Sequence, residues 1–292
     1  MTQPSPNSVA REDVFQVLAS FQGCDAVVVG GQSLTLWAER YFNRTPELIQ
    51  YAPFVSKDID YLGFRDAAIE LAKRLGAKSP TFPDLVNDQG THSTAIVHAE
   101  INGHRILIDF IGGLIGVAQH VLKDGVVQLA VPYLFDDQTQ FITVQILHPI
   151  LVLQSRAVNW FHPARNRHDD ITWRQLHTAA IVVREHILER LEQGDNKDAT
   201  YTVKQLFQWL RNDHIGKLVD LDPVVNLDLL NVLKEVSTSP LWDSRFASIT
   251  LTSMINRIED FRVGRNARMG IFLKEDPPSN EASSTAFTPP SP

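Results

Sequence analysis

Two short stretches decide the fold of this protein: Val27-Val28-Val29-Gly30-Gly31-Gln32-Ser33 and Ser56-Lys57-Asp58-Ile59-Asp60-Tyr61. The first is predicted to be a buried strand that ends at two glycines, with a helix starting at about Ser33. The second is predicted to be a strand on which Asp58 and Asp60 face the same side, because side chains alternate along a strand. Two such carboxylates repel each other unless a cation such as Mg²⁺ lies between them. With a glycine-bounded helix start nearby, the pair predicts a magnesium and phosphate site.

A third acid lies in a predicted hairpin further along the chain. Strands are predicted at 92–101 and 104–111, joined by Asn102-Gly103, because both turn positions accept a positive φ. The second of these strands carries Asp109 within an otherwise apolar run, Ile106-Leu107-Ile108-Asp109-Phe110-Ile111. Burying an unpaired carboxylate is costly, so Asp109 is expected to have a partner or a metal ion. Three carboxylates on neighbouring strands, facing one side, are the ligand set of a two-metal site.

Composition is typical of a globular protein that can bury a large core. The chain has 292 residues, of which 43% are hydrophobic and 21% are charged. Its net charge of -7 argues against a protein that coats nucleic acid, which would usually be basic. The single cysteine, Cys24, fits a reducing compartment. No apolar run approaches the roughly 18–20 residues needed to cross a bilayer, and residues 1–6 do not look like a signal peptide. A cytoplasmic protein without a membrane partner is therefore expected.

The hydrophobic pattern changes near residue 147. Two further strands are predicted at about 126–134 and 140–147, and the pattern from His148 onward is helical. These patterns predict an α+β protein in which helices flank a small mixed sheet and an all-helical domain follows. The predicted organisation is a disordered N-terminus at 1–8, an α/β domain at 9–147, a helical domain at 148–273 and a disordered tail at 274–292.

The order of these motifs resembles the DNA polymerase β-type nucleotidyltransferase superfamily. Its pattern is a hydrophobic residue, a glycine pair, a helix, an Asp-x-Asp pair and a third acid on a later strand, here Gly30, Gly31, Asp58, Asp60 and Asp109. Residues 29–34 and 56–60 look like those of bacterial minimal nucleotidyltransferases related to the AbiE-type (AbiEii-like) abortive-infection toxins. In that group a serine or threonine precedes the acid pair, and a helical C-terminal half is usual. The resemblance covers roughly residues 26–175.

The resemblance implies an enzyme that transfers a nucleoside monophosphate from an NTP to an acceptor hydroxyl and releases pyrophosphate. Its catalytic and metal-binding residues would be Asp58, Asp60 and Asp109, which would hold two Mg²⁺ ions. Its nucleotide-binding residues would be Gly30, Gly31, Ser33, Lys57 and Arg156. Catalysis of this kind consists mostly of positioning and charge neutralisation.

The sequence departs from the family pattern at two places. The gap between Gly31 and Asp58 is longer than in compact members, so an inserted loop at 43–55 is expected to border the site. AbiE-type proteins usually carry a lysine on the first helix after the sheet, and Arg156 occupies the matching helix here. Arginine binds phosphate as a planar fork and not as a point charge. A basic stretch at 156–174 either binds phosphates or is a solvated helix start.

Three functions remain open from the sequence. The first is a toxin of a toxin–antitoxin pair that modifies RNA, such as tRNA ends, or a protein side chain, with a cognate antitoxin as partner. The second is a small-molecule adenylyltransferase of the antibiotic-modifying kind, and the third is a non-catalytic nucleotide-binding regulator. An acidic groove beside Asp109 would suit a cationic small molecule, and a basic groove would suit tRNA. Magnesium-dependent turnover of NTP would exclude the regulator.

Overall fold

A mixed sheet flanked by helices forms the N-terminal half of the protein. The computed structural model describes residues 9–54, 58–84, 92–135, 138–161, 168–220 and 222–268. The strands of this part are β1 (Val27–Val29), β2 (Ile59–Leu62), β3 (Ser93–Ile101), β4 (His104–Ile111), β5 (Val126–Phe135) and β6 (Gln138–Leu147). They form one sheet in the order β3-β4-β2-β1-β6-β5. Strand β1 is antiparallel to β2 and parallel to β6, and β2 is parallel to β4. The predicted α+β class is confirmed.

Sequence patterns identify two of the strand pairs in this sheet. Asn102 and Gly103 adopt φ values of 51° and 80° and join β3 to β4, which confirms the predicted hairpin. The predicted pair of strands near 126–147 is also confirmed, as the antiparallel pair β5 and β6. The turn predicted at Asp136-Asp137 lies outside the described residues. Strand β2 begins at Ile59, so Asp58 immediately precedes the strand and does not lie within it.

The helices of the N-terminal half are α1 (Arg11–Ser20), α2 (Gly30–Tyr41), α3 (Arg65–Arg74) and α4 (Gln119–Asp124). The predicted start of α2 at Ser33 is wrong, because the helix begins three residues earlier at Gly30. Gly30 has a φ of +66°, and this conformation turns the chain from β1 into α2 without an intervening loop. In the predicted loop at 43–55, residues Pro46–Tyr51 form a 3-10 helix.

Helices follow one another after residue 148. They are α5 (Pro149–Phe161), α6 (Asp170–Glu192), α7 (Asn196–Asn212), α8 (His214–Val219), α9 (Leu229–Ser237) and α10 (Thr252–Arg268), the last preceded by a π-helical segment at Phe246–Leu251. Helices α6 to α9 each begin after an aspartate whose carboxylate accepts a backbone hydrogen bond: Asp169, Asp195, Asp213 and Asp228. Such caps satisfy N–H groups that have no partner within the helix.

Helix α2 lies between the sheet and the helical region. The Trp37 indole donates a hydrogen bond of 2.9 Å to the carbonyl of Leu147, the last residue of β6. On the same helix, Arg40 forms an ion pair of 2.7 Å with Glu189 of α6, and the Tyr41 hydroxyl donates to the same carboxylate at 2.9 Å. These contacts fix the C-terminal half of α2 relative to both halves of the chain.

The division into domains at residue 147 stays a prediction. The predicted disordered segment at 1–8 and the tail at 274–292 lie outside the described residues. Within the described helices, none combines the length and apolar composition required to cross a lipid bilayer.

Candidate functional site

The candidate site is centred on the contact between Gly30 and Asp60. Val29 of β1 lies opposite Asp60 of β2 in the antiparallel register, so the start of α2 comes directly over the acid. A Cβ atom added to Gly30 would lie 2.0 Å from Asp60 Oδ2. A side chain at position 30 would require Asp60 to move, and the positive φ of Gly30 further favours glycine there. The backbone of α2 therefore approaches the carboxylate more closely than any other residue type would allow.

Asp109 lies beside Asp60 on the neighbouring strand. The two residues are directly paired in the parallel register of β2 and β4, so their side chains project from the same face of the sheet. Both are half-buried, whereas Ile59 and Tyr61 are buried on the opposite face. The Ser93 hydroxyl donates a hydrogen bond of 2.6 Å to Asp109 Oδ1 and orients that carboxylate. The structure therefore brings together two of the three predicted acids and the first glycine.

The remaining acid and the adjacent lysine are at the entrance to β2. Asp58 is exposed and lies one residue before the strand, two residues from Asp60. Lys57, which is predicted to bind nucleotide, lies outside the described residues. Three carboxylates of this kind are hard oxygen donors of the type that Mg²⁺ prefers. Asp58, Asp60 and Asp109 therefore fit as the residues that would hold it.

The site opens onto an incompletely covered face of the sheet. Beyond Asp109 on this face, Leu107 is opposite His98, and Arg105 is opposite Glu100. All four of these side chains are exposed. One acid and one base lie directly across from each other, so this part of the surface is neither strongly acidic nor strongly basic.

The first turn of α2 provides backbone N–H groups beside the acids. Val29 occupies the N-cap position, and its side chain has no atom that could accept a hydrogen bond from them. Gly31 follows Gly30 and lines a cleft next to the site. Ser33 is fully buried, and within the described part of the chain its hydroxyl makes no hydrogen bond. Direct binding of a phosphate by Ser33 would need that hydroxyl to become accessible, and its role stays a prediction.

Arg156 lies inside the protein and not on an open wall. Its side chain is 7% exposed on α5, where Nη1 donates to Gln175 Oε1 at 3.1 Å and Nη2 donates to Ser155 Oγ at 3.2 Å. Gln175 belongs to α6 and lines the same cleft as Gly31. Arg156 is thus directly behind a residue of the cleft. Its predicted contact with nucleotide stays a prediction.

A second polar cluster, which the sequence reasoning did not find, lies where α6 and α7 meet the end of β6. His148 Nε2 and His186 Nε2 lie 3.1 Å and 3.0 Å from the two carboxylate oxygens of Asp198. The three residues could together present ligand atoms to a metal ion. However, the backbone N–H of Ile150 donates to His148 Nδ1 at 3.3 Å, so the proton of the neutral ring is on Nε2. That nitrogen is then a donor to Asp198, which favours a hydrogen-bonded junction over a metal site.

The pKa values of two groups in this junction are shifted by burial and by hydrogen bonds. Burial lowers the pKa of His186 to about 4, against the opposing effect of its bond to Asp198. Burial alone would raise the pKa of Asp198, but the bonds from His148 and His186 outweigh it, and the pKa of Asp198 is lowered. The sequence signal for this junction is weak, since its members are distant along the chain.

Comparisons with known proteins give only distant similarity. No protein-family profile matches the sequence, and no curated protein matches it. Similar solved structures include JHP933 from Helicobacter pylori, with 12% identity and a TM-score of 0.37 over 90% of this chain and 100% of that chain. They also include an H. pylori chain described as a candidate nucleotidyltransferase, with 12% identity and a TM-score of 0.37 over 87% of this chain and 99% of that chain. Similarity at this level does not specify an activity.

Proposed function

We propose that the protein is a Mg²⁺-dependent nucleotidyltransferase that moves a nucleoside monophosphate from an NTP to an acceptor hydroxyl. The observation that supports this most directly is the placement of Asp60 and Asp109 side by side on parallel neighbours, with the glycine start of α2 against Asp60. Two carboxylates in register present hard oxygen donors of the type that Mg²⁺ prefers. Backbone N–H groups at the start of a helix attract phosphate. The carboxylates suit the metal ions of a metal-bound nucleotide, and the backbone N–H groups suit its phosphates.

Each residue has a separate task in the proposed reaction. Asp58, Asp60 and Asp109 would hold two Mg²⁺ ions, which neutralise phosphate charge and lower the pKa of the acceptor hydroxyl. The N–H groups of Gly30 and Gly31 bind the triphosphate. The proton of the acceptor hydroxyl passes to a carboxylate oxygen of Asp109. A bond forms between the acceptor oxygen and the α-phosphorus, the bond from that phosphorus to the bridging oxygen of the β-phosphate breaks, and pyrophosphate leaves.

The acceptor reaches the site across the open face of the sheet. The exposed pair Glu100 and Arg105 has opposite charges, so this face does not favour a cationic small molecule over an RNA or protein hydroxyl. RNA, such as a tRNA end, and a protein side chain remain the acceptors proposed, in the role of a toxin that a cognate antitoxin would block. These acceptors come from the family resemblance, and the electrostatic sign of the face neither adds to them nor removes them.

Labelled nucleotides test the proposal directly. The protein is incubated with each of the four α-³²P-labelled NTPs, Mg²⁺, and either total RNA or a cell lysate, and the labelled product is located on a gel. We expect label on one class of acceptor, and at least about a 100-fold loss with Asp60→Asn or Asp109→Asn, because loss of a residue that only supports a metal ligand already costs 10–100-fold. The control is Asp66→Asn, which removes an exposed acid of the first turn of α3.

Two results would contradict the proposal. One is transfer by Asp60→Asn at the wild-type rate, since the acid could not then hold an essential ion. The other is the absence of transfer from any NTP by a folded wild-type protein that binds NTP and Mg²⁺. That second result would favour the non-catalytic nucleotide-binding regulator.

A further inference from the structure

A cleft of about 240 Å³ lies next to the candidate site. It is formed by the first turns of α2, by residues 51–54 of the loop and by the N-terminal part of α6. Its lining includes Gly31 of α2, Tyr51 and Phe54 of the loop, and Gln175 of α6. The loop is the segment by which this sequence exceeds the compact members of the superfamily it resembles.

The cleft is adjacent to the acids through two covalent connections. Gly31 directly follows Gly30, the residue in contact with Asp60. Phe54 precedes Asp58 by four residues, and a chain of four residues spans at most about 14 Å. A molecule whose phosphates bind at the start of α2 would thus have the cleft within reach of its other end.

The aromatic wall formed by Tyr51 is held rigidly. His177 Nε2 donates to the Val225 carbonyl at 2.8 Å, so its Nδ1 accepts a hydrogen bond of 3.4 Å from the Tyr51 hydroxyl. Burial lowers the pKa of His177, which keeps the ring neutral as this arrangement requires. The Tyr51 ring is stacked on His177 with centroids 5.6 Å apart, and it lies 5.8 Å from Trp173. Because its hydroxyl is engaged in this way, Tyr51 contributes mainly its ring to the cleft.

The other walls provide a second ring and several polar groups, among them Gln175 and the ion pair of Asp170 with Arg174. Phe54 packs edge-on against Phe42, with centroids 5.8 Å apart. Gln175 must present its Oε1 to Arg156, because a guanidinium has only donors. Its amide nitrogen, with two N–H donors, is then the group available to a ligand. A preformed cleft that combines apolar and aromatic walls with a small number of polar groups is the usual form of a small-molecule site.

We propose that this cleft binds the base of the donor nucleotide, with Tyr51 and Phe54 as its apolar walls and Gln175 as the donor to a ring nitrogen or carbonyl oxygen. The proposal rests on the proposed nucleotidyltransferase function, since it assumes triphosphate at the start of α2. It adds to that function a set of residues that select the nucleotide. Every base has both a flat face and acceptor atoms, so stacking provides affinity, and the contact with Gln175 provides selectivity.

Comparing the binding of two ligands distinguishes contacts with the base from contacts with the phosphates. Dissociation constants are measured with Mg²⁺ for a non-hydrolysable α,β-methylene analogue of each NTP and for tripolyphosphate, which has no base. We expect Tyr51→Ala and Phe54→Ala each to weaken binding of the preferred analogue about tenfold or more, as for loss of a stacked ring, and to leave tripolyphosphate binding unchanged. Tyr51→Phe keeps the ring and should bind nearly as wild type. Phe64→Ala, which removes an exposed ring outside the cleft, is the matched control.

A selectivity measurement tests Gln175 independently. Gln175→Glu keeps an acceptor for Arg156 but replaces the two amide donors with a carboxylate. A uniform repulsion of phosphate would weaken all four analogues equally. We expect instead that the ratio of the weakest to the tightest dissociation constant among the four analogues changes by about fivefold, the effect of one hydrogen bond. Melting temperatures of all variants establish that they are folded.

The outcomes distinguish this proposal from the function on which it rests. Unchanged binding of all analogues by folded Tyr51→Ala and Phe54→Ala would overturn the base site and leave the nucleotidyltransferase intact. A normal affinity for analogue with a raised KM for acceptor would assign the cleft to the acceptor, and would also overturn it. Failure of the wild-type protein to bind both tripolyphosphate and every analogue would reject the proposed function together with the cleft assignment.

Discussion

Gly30 and Asp60 are in such close contact that a Cβ atom at position 30 would lie 2.0 Å from the carboxylate oxygen Oδ2. Position 30 therefore requires two properties of glycine, the absence of a Cβ atom and the tolerance of a positive φ, which is +66° here. The contact joins the start of α2, which is proposed to bind phosphate, to the acid that is proposed to bind metal. Its substitution therefore changes the chemistry as well as the stability.

Gly30→Ala should abolish transfer of labelled nucleotide and lower the free energy of unfolding by more than a change of φ alone would. The matched control is Gly23→Ala, because Gly23 has a φ of +76° and a Cβ atom added there would meet nothing within 4 Å. Both variants lose roughly 1–3 kcal/mol through the left-handed conformation, and only Gly30→Ala displaces Asp60. Urea denaturation and the transfer assay check the two effects. Equal losses of stability with full activity in both variants would contradict the contact.

Ser93→Ala should raise the concentration of Mg²⁺ needed for half-maximal transfer by about tenfold. The Ser93 hydroxyl donates a hydrogen bond of 2.6 Å to Asp109, and residues that orient a metal ligand typically contribute 10–100-fold to affinity or activity. The measurement is a Mg²⁺ titration at saturating NTP. Ser20→Ala is the control, because the Ser20 hydroxyl donates an exposed hydrogen bond to the backbone carbonyl of Gln16 on the same helix. A Mg²⁺ dependence identical to that of the wild type would show that Asp109 does not depend on this bond.

The local parts of the fold could be predicted from the sequence because single residues determine them. Asn102 and Gly103 have the positive φ values that the hairpin requires, and the alternation of side chains along β2 separates Asp60 from the buried Ile59 and Tyr61. The pairing of Asp60 with Asp109 joins strands that are distant along the chain. It could be expected only from the resemblance to a known superfamily, since strand order depends on the whole sheet.

The parts that could not be predicted depend on contacts between distant helices. Arginine is a residue type that often binds phosphate at a protein surface. Here Ser155 and Gln175 hold Arg156 inside the protein. His148 and Asp198 come together only when α7 packs beside the end of β6. Helical periodicity identifies which face of a helix is apolar. It does not identify the distant residue that a polar side chain on that helix will contact.

Expression of the protein in a bacterial host should arrest growth if the toxin role implied by the family resemblance is right. Asp60→Asn should permit growth at the same level of protein, because the proposed toxin acts by nucleotidyl transfer and the substitution removes a carboxylate proposed to bind metal. Asp66→Asn, in the first turn of α3, should still arrest growth. Optical density after induction and immunoblots of protein level provide the measurement. Normal growth with abundant active wild-type protein would reject the toxin role and leave the transferase activity unaffected.

Acidification should destabilise the protein through the buried junction at His186. In the folded protein burial lowers the pKa of His186 to about 4, whereas an unfolded histidine has a pKa of about 6.5. Between these values the unfolded chain binds a proton that the folded protein does not. Stability therefore rises with pH in this window, and protonation of this group costs roughly 3 kcal/mol between pH 7 and pH 4.

The groups that face His186 are Tyr41, His148, Asp198 and Arg190, and they remain in the variant that tests this prediction. His186→Gln keeps a side-chain donor for Asp198 but cannot titrate. We expect it to be less stable than the wild type at pH 7 and to have a flatter dependence of unfolding free energy on pH between 4 and 6.5. Urea denaturation across this range measures both slopes. Parallel slopes in the two proteins would mean that His186 does not take up the proton on unfolding. The acid sensitivity would then come from carboxylates elsewhere in the protein.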